Sequence, residues 1–197
     1  RYMNKIERIE KIDYSFEEET QRRLDNLTKP QGSLGRLEEL AKKMVAITRN
    51  PAPPVTNKVI FTMAGDHGVT EEGVSAYPKE VTPQMVYNFI KGGAGINVLA
   101  RHAGARVVVV DMGVACDLEE HSPLVIKKVN YGTKNMTKGP AMSREEAIRS
   151  IENGMEIFEE EFPKGIDIVG TGDMGIGNTT PSSAITSVIT GKTVENI

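Results

Sequence analysis

Apolar positions follow two different rules on either side of a proline cluster at residues 51–54. Before it the period is helical. Ser15 precedes Phe-Glu-Glu-Glu-Thr-Gln-Arg-Arg-Leu-Asp-Asn-Leu27, and the acids crowd the opening turn, where the helix dipole favours them. Leu34, Leu37, Leu40, Ala41, Met44 and Ile47 recur at helical spacing and predict a second helix over about 34–48, with these residues on one face. Thr28-Lys-Pro-Gln-Gly-Ser33 reads as the turn between them. Residues 1–14 mix charge with scattered isoleucines and predict no element. Residues 1–54 therefore read as a small helical subdomain, and 55–197 as a separate domain.

Beyond the prolines, short apolar runs alternate with helical patterns. Val59–Ala64, Arg106–Asp111 and Ile166–Val169 read as strands, with 124–129 a weaker candidate. Thr82 before Pro83 reads as an N-cap with proline at the first helical position. Its helix carries Met85, Val86, Phe89 and Ile90 and stops at Gly92-Gly93. Further helices are predicted over 95–102 and over 143–161, the latter opened by a Ser143/Glu146 capping box, and from Pro181 onward. The alternation predicts an α/β fold of three layers, a mainly parallel sheet with helices on both faces, joined to the helical N-terminal subdomain. In such folds ligands sit outside the C-terminal strand ends, so loops 65–80, 112–117 and 170–180 are expected to form one site. The sequence stops soon after the last helix, where a doubly wound sheet would continue, and so reads as cut in mid-domain.

Composition narrows the class. A formal net charge of −3 leaves no basic footprint for nucleic acid. The single Cys116 excludes a disulfide framework and a cysteine-clustered zinc site. No apolar run is long enough to span a bilayer, and no signal-peptide core opens the chain. The expectation is a soluble, cytoplasmic protein that binds neither membrane nor nucleic acid.

Candidate chemistry concentrates in the glycines at 170, 172, 175 and 177, followed by Asn178-Thr-Thr180. A strand feeding a glycine loop that delivers a helix N-terminus suits an anion, because N–H groups converge there and the helix dipole adds positive charge. Gly170-x-Gly172-x-x-Gly175 also matches the dinucleotide fingerprint, with Glu195 about twenty residues on. A plain connecting turn remains a further reading, and no P-loop lysine is present. Asp66-His67, directly after a strand, lines a site or simply shapes its loop. Neither His102 nor His121 offers a third metal ligand, which disfavours metal. Glu71, Glu72 and Glu80 are acid/base candidates or solvated loop carboxylates. Ser75, Tyr77 and Pro78, with Gln84 and Met85, suit an uncharged aromatic ring, although Tyr77 and Met85 equally suit core packing. Arg101, His102, Lys127 and Lys128 read as surface charge.

Several blocks carry a family resemblance: Leu27-Thr-Lys-Pro-Gln-Gly-Ser-Leu-Gly-Arg-Leu-Glu38, Ala64-Gly-Asp-His-Gly-Val69, Glu72-Gly-Val-Ser-Ala-Tyr-Pro78, Glu80-Val-Thr82, Gly92-Gly-Ala-Gly-Ile-Asn-Val-Leu99 and Gly172-Asp-Met-Gly-Ile-Gly-Asn-Thr-Thr-Pro181. Together, in this order, they resemble nicotinate-nucleotide–dimethylbenzimidazole phosphoribosyltransferases. The resemblance implies transfer of phosphoribose from nicotinate mononucleotide to 5,6-dimethylbenzimidazole, giving α-ribazole 5′-phosphate and nicotinate in cobalamin lower-ligand synthesis. It implies a homodimer that needs no metal and no cofactor. It assigns Ser75, Tyr77, Pro78, Gln84 and Met85 to the benzimidazole, and Gly172, Asp173, Met174, Gly175, Ile176, Gly177, Asn178, Thr179 and Thr180 to the phosphoribosyl and nicotinate parts. Asp173 stands where the family usually has glutamate. The family's catalytic glutamate is expected C-terminal to Ile197, so no catalytic residue is assigned within the chain. Two alternatives stand beside this reading: an NAD(P)-dependent oxidoreductase built on the glycine fingerprint, and a non-catalytic nucleotide-binding fragment.

Overall fold

The computed structural model describes residues 7–119 and 123–197, so His121 lies outside the described residues. The chain divides into two compact units, one up to Val55 and one from Thr56.

The first unit holds helix α1 (Glu17–Asp25), entered through a 3-10 turn at Tyr14–Phe16, and helix α2 (Arg36–Thr48). Thr20, Glu38, Val45 and Ala46 are its buried positions among the described residues. Glu38 accepts from the Leu34 N–H and pairs with Lys29 at 2.8 Å, tying the turn to α2. The expected apolar face is rotated away from this contact. Ala41 and Met44 are half-buried, but Leu34, Leu37, Leu40 and Ile47 are exposed. Helical spacing fixes which residues share a face, not whether anything packs on it.

The second unit is built on four parallel strands: β1 (Lys58–Gly65), β2 (Ala105–Gly113), β3 (Leu124–Ile126) and β4 (Ile168–Met174), in the order β3-β2-β1-β4. Helices α3 (Val81–Ile90) and α4 (Gly95–Ala103) lie between β1 and β2 in sequence, α5 (Arg144–Glu161) between β3 and β4, and α6 (Thr179–Thr190) follows β4. Strand alternation sorts the core into two layers. Ala64 and Val109 pack with Val86, Phe89 and Ala94 of the α3–α4 side, while Val59, Phe61, Val108 and Val110 pack with Ile157 of α5. The sheet is thus covered on both faces, as the alternation predicted. The Ser143/Glu146 capping box is formed as well, with both of its hydrogen bonds present.

Three local readings change. The last strand is longer and later than 166–169: Gly170, Thr171, Gly172, Asp173 and Met174 pair with Ile60–Ala64 rather than forming a loop. The glycines there answer the neighbouring strand, since a Cβ at 170 would lie 3.2 Å from Ile60 Cγ1 and one at 172 would lie 3.2 Å from Thr62 Oγ1. Helix α6 starts at Thr179, so Pro181 is its third residue, where the missing N–H costs nothing. Helix α3 starts at Val81 with Glu80 at the N-cap, which frees Thr82 for another task.

Candidate functional site

Strands β1 and β4 are neighbours, yet the helices that link β1 to β2 and β3 to β4 lie on opposite faces of the sheet. Strand order runs from β1 out to β3 and then returns to β4 on the other side of β1, so it reverses between β1 and β4. At such a point α/β sheets hold ligands in the crevice outside the C-terminal strand ends. Here that crevice lies between Gly65–His67 and Met174–Gly177.

The glycine segment sits on the first loop with no room to spare. A Cβ on Gly175 would overlap the Gly65 carbonyl oxygen and lie 2.8 Å from His67 Nε2. Gly177 adopts φ +79°, a left-handed turn that favours glycine. Thr82, fully buried, accepts the Ile176 N–H at 3.1 Å and pins the segment to α3. Three N–H groups are used internally: Ile176 to Thr82, Asn178 to the Gly175 carbonyl and Thr180 to the Gly177 carbonyl. Among the described residues, no hydrogen bond occupies the N–H groups of Gly177 and Thr179. Asn178 stands at the α6 N-cap but makes no capping bond, because the third helical residue is Pro181 and has no N–H to give. Its amide instead donates to Asp173 Oδ2 at 3.0 Å.

Residues 174–180 line a cleft of about 290 Å³ together with Val74 and Ser75. None of these residues is charged. The cleft offers two peptide N–H groups, the hydroxyls of Ser75, Thr179 and Thr180, and the positive end of α6. A helix N-terminus of this kind favours an anion by about 0.3–1 kcal/mol at an exposed site.

Of the phosphoribosyl set, Met174, Gly175, Ile176, Gly177, Asn178, Thr179 and Thr180 come together here. Gly172 and Asp173 stand inside β4. Of the benzimidazole set, Ser75 alone lines this cleft, and its hydroxyl accepts the Tyr77 N–H at 3.2 Å. Tyr77, Pro78 and Gln84 are exposed, and Met85 packs half-buried against the core.

The other loops are tied in by buried polar groups. The Asp66 N–H donates to the Gly113 carbonyl, its Oδ2 accepts the Ala115 N–H at 2.8 Å, and its carbonyl accepts the Thr133 N–H at 3.0 Å. Asp66 thus joins loops 65–80 and 112–117 to a segment, 130–142, that carried no signal in the sequence. Glu72 accepts from Asn135 at 2.6 Å and from the Thr137 hydroxyl, and Glu71 pairs with Lys138 at 2.7 Å, so both brace that segment. The Lys138 ammonium, with Asn135, holds the Glu71 carboxyl below its ordinary value. Lys128 is not surface charge. It pairs at 2.9 Å with the fully buried Asp111 and donates to the carbonyls of Val114 and Cys116. His67 is held below its ordinary pKa by burial, opposed by the Asp173 and Asp66 carboxylates.

This geometry removes the dinucleotide reading. Gly170 and Gly172 lie within a strand, not in the turn after it, and Glu195 lies in a 3-10 turn at Val194–Asn196 rather than at a strand end.

Comparison with known proteins agrees. A family model described as phosphoribosyltransferase matches residues 9–197. The nicotinate-nucleotide–dimethylbenzimidazole phosphoribosyltransferase of Geotalea uraniireducens is 57% identical over 192 residues, covering 98% of this chain and 54% of that protein. The chain belongs to this family. The family's Geobacter sulfurreducens protein is 58% identical over 186 residues, 94% of this chain and 53% of that one. A crystal structure of the Thermus thermophilus phosphoribosyltransferase superposes with a TM-score of 0.87 at 43% identity, covering 91% of this chain and 55% of that one. The chain therefore spans about half the length of the family members it matches. No helix among the described residues is long and apolar enough to cross a membrane.

Proposed function

We propose that the chain supplies the phosphoribose-holding part of an enzyme that moves phosphoribose from nicotinate mononucleotide to 5,6-dimethylbenzimidazole. The observation that carries the reading is the uncharged cleft at the β1/β4 switch point, with free N–H groups at Gly177 and Thr179 beside the start of α6. Held there, a 5′-phosphate fixes C1′ of the ribose by its position, and positioning is a large contributor to catalysis. The nicotinate ring of the donor is a cationic pyridinium and departs without a strong acid. The benzimidazole must lose its N–H proton as its other nitrogen attacks from the opposite face, giving the α-product. A carboxylate base at that step contributes a factor of about 10²–10⁴. No carboxylate lines the cleft. In this reading the base comes from outside the described residues and the working enzyme is a cytoplasmic homodimer, as the family resemblance implies. Ser75 reaches the cleft from the benzimidazole side, which supports adjoining subsites for the two substrates, with Tyr77, Pro78, Gln84 and Met85 completing the second.

Calorimetry of the 197-residue chain with nicotinate mononucleotide and with nicotinate riboside tests the reading. The mononucleotide should bind at least about tenfold more tightly, since only it brings the phosphate to the helix terminus. Equal affinities, or no binding of either, would overturn it.

A further inference from the structure

The His67 ring lies against Gly175 beside the switch-point crevice, and its Nε2 is buried without a hydrogen-bond partner among the described residues. An unpaired buried polar group is costly, so one at a binding site calls for an explanation. Its neighbours narrow the choice. Gly175 rests on the ring edge, leaving no space for a methyl group between them. Asp173 of β4 and Asp66 are the two carboxylates that act on the imidazole. From the other elements around it, Lys134 and Glu146 line the cavities that His67 also lines. Asp173 is engaged by the Asn178 amide, and Asn178 also stands in the cleft at the head of α6, where an anion would compete for that amide.

Resting on the phosphate reading above, we propose that His67 is a positioning residue for the glycine loop, through an exchange of hydrogen bonds. A phosphate at the start of α6 draws the Asn178 amide to itself, and the released Asp173 carboxylate accepts from His67 Nε2–H. The exchange keeps Asp173 partnered, satisfies Nε2 and locks the ring against Gly175 while the phosphate is bound. It has a proton consequence. Burial keeps His67 below its ordinary 6.5, whereas a carboxylate partner favours the imidazolium and raises it. Phosphate binding therefore takes up a proton at His67 between the two pKa values, and affinity rises as pH falls through that window.

The test uses the 197-residue chain with nicotinate mononucleotide as the probe. Nitrogen-15 NMR of the imidazoles follows the His67 titration with and without ligand. Calorimetry at about pH 6, near the ordinary histidine value, in buffers of different ionisation heat counts the protons taken up. H67Q places an amide near Nε2 but does not titrate, and H67F fills the space without a donor. We expect the His67 pKa to rise on binding and H67Q to take up fewer protons than the parent chain. The ligand's own phosphate ionisation is common to both and cancels. H67Q should bind within about threefold of the parent, and H67F about tenfold to a hundredfold more weakly. A His67 signal unmoved by saturating ligand, or equal proton uptake by the parent and H67Q, would overturn the exchange and leave the phosphate reading intact. Absence of binding to the parent chain would overturn both. The NMR titration needs no variant, so an unfolded substitution leaves the outcome decidable.

Discussion

Replacing Gly175 by alanine puts the smallest side chain where the structure has no space. The new Cβ would overlap the Gly65 carbonyl oxygen and sit 2.8 and 2.9 Å from His67 Nε2 and Cδ2. Non-bonded heavy atoms settle at about 3.5–4.0 Å, so the ring must retreat by roughly 1 Å and the carbonyl by more. The carbonyl cannot swing aside as a side chain would, because Gly65 pairs with Gly113 across a bulge in the β1–β2 register. That places G175A at the upper end of the overpacking range, about 3 kcal/mol. At about 2–4 °C per kcal/mol for a chain of this size, the unfolding midpoint should fall by roughly 6–12 °C. Two other glycines calibrate the result. G177A meets Thr70 Cγ2 at 3.0 Å and Val74 Cγ2 at 3.3 Å, both on side chains that can turn, and takes φ +79°; about 1–2 kcal/mol is expected from the left-handed backbone. G191A, at φ +68° after α6, meets nothing and should cost about 1 kcal/mol without touching the cleft. Urea denaturation gives the stabilities, and calorimetry with nicotinate mononucleotide gives the binding. G175A should be the least stable and the weakest binder of the three. If it tracks G191A in stability, or binds like the parent chain, the claim that the loop rests on Gly65 and His67 is wrong.

Thr82→Val keeps the shape of a fully buried side chain but removes the acceptor of the Ile176 N–H. It should cost about 1–3 kcal/mol, and the Ile176 amide should lose its protection in hydrogen exchange before the amides of β4 do. Lys128→Met strands the Asp111 carboxylate, which is fully buried, so about 3–5 kcal/mol is expected in denaturant unfolding. The double variant with Asp111→Asn should recover part of that loss. Stability should also decline on the acid side in two parts. His67 lies below its ordinary 6.5 in the fold, so its contribution is complete above that value and is lost as pH falls towards the lowered one. Burial opposes ionisation of Glu161, but Lys164 and Arg106 hold it below its ordinary 4.5, so its contribution is present above that value and lost as pH falls through the lowered one. H67Q should flatten the first part and E161Q the second, read from midpoints in urea at each pH.

The fold was legible because it is written in local patterns. A β-branched run such as Val107–Val110 specifies a buried parallel strand, and the Ser143/Glu146 pair specifies a helix start. The glycine stretch stands out in the sequence, but its division between strand and loop does not. Glycine signals a turn when read alone, and nothing in the sequence says that Ile60 and Thr62 would press against residues 170 and 172 from the next strand. Thr82 misled for a similar reason. Threonine before proline is a sound N-cap signal, and only the approach of Ile176 from ninety-four residues away shows the hydroxyl in use elsewhere. Lys128 reads as surface because lysine usually is, and its buried partner lies back in β2.

What the sequence hid has one physical character: the loops around the cleft are joined by buried polar groups as well as by the apolar packing of Val69 and Val114. Asp66 bridges 65–80 to 112–117 and 130–142, Thr82 holds the glycine segment, and the Asp111–Lys128 pair shapes the turn after β2. Apolar contacts would let such loops slide, because they are non-directional. Directional bonds fix each peptide N–H to one orientation, which a cleft without a charged side chain requires. With no lysine or arginine to follow the ligand, an anion can be held here only if the Gly177 and Thr179 amides already point where its oxygens will be. On the phosphate reading proposed above, the buried carboxylates and hydroxyls set binding even where they touch no ligand.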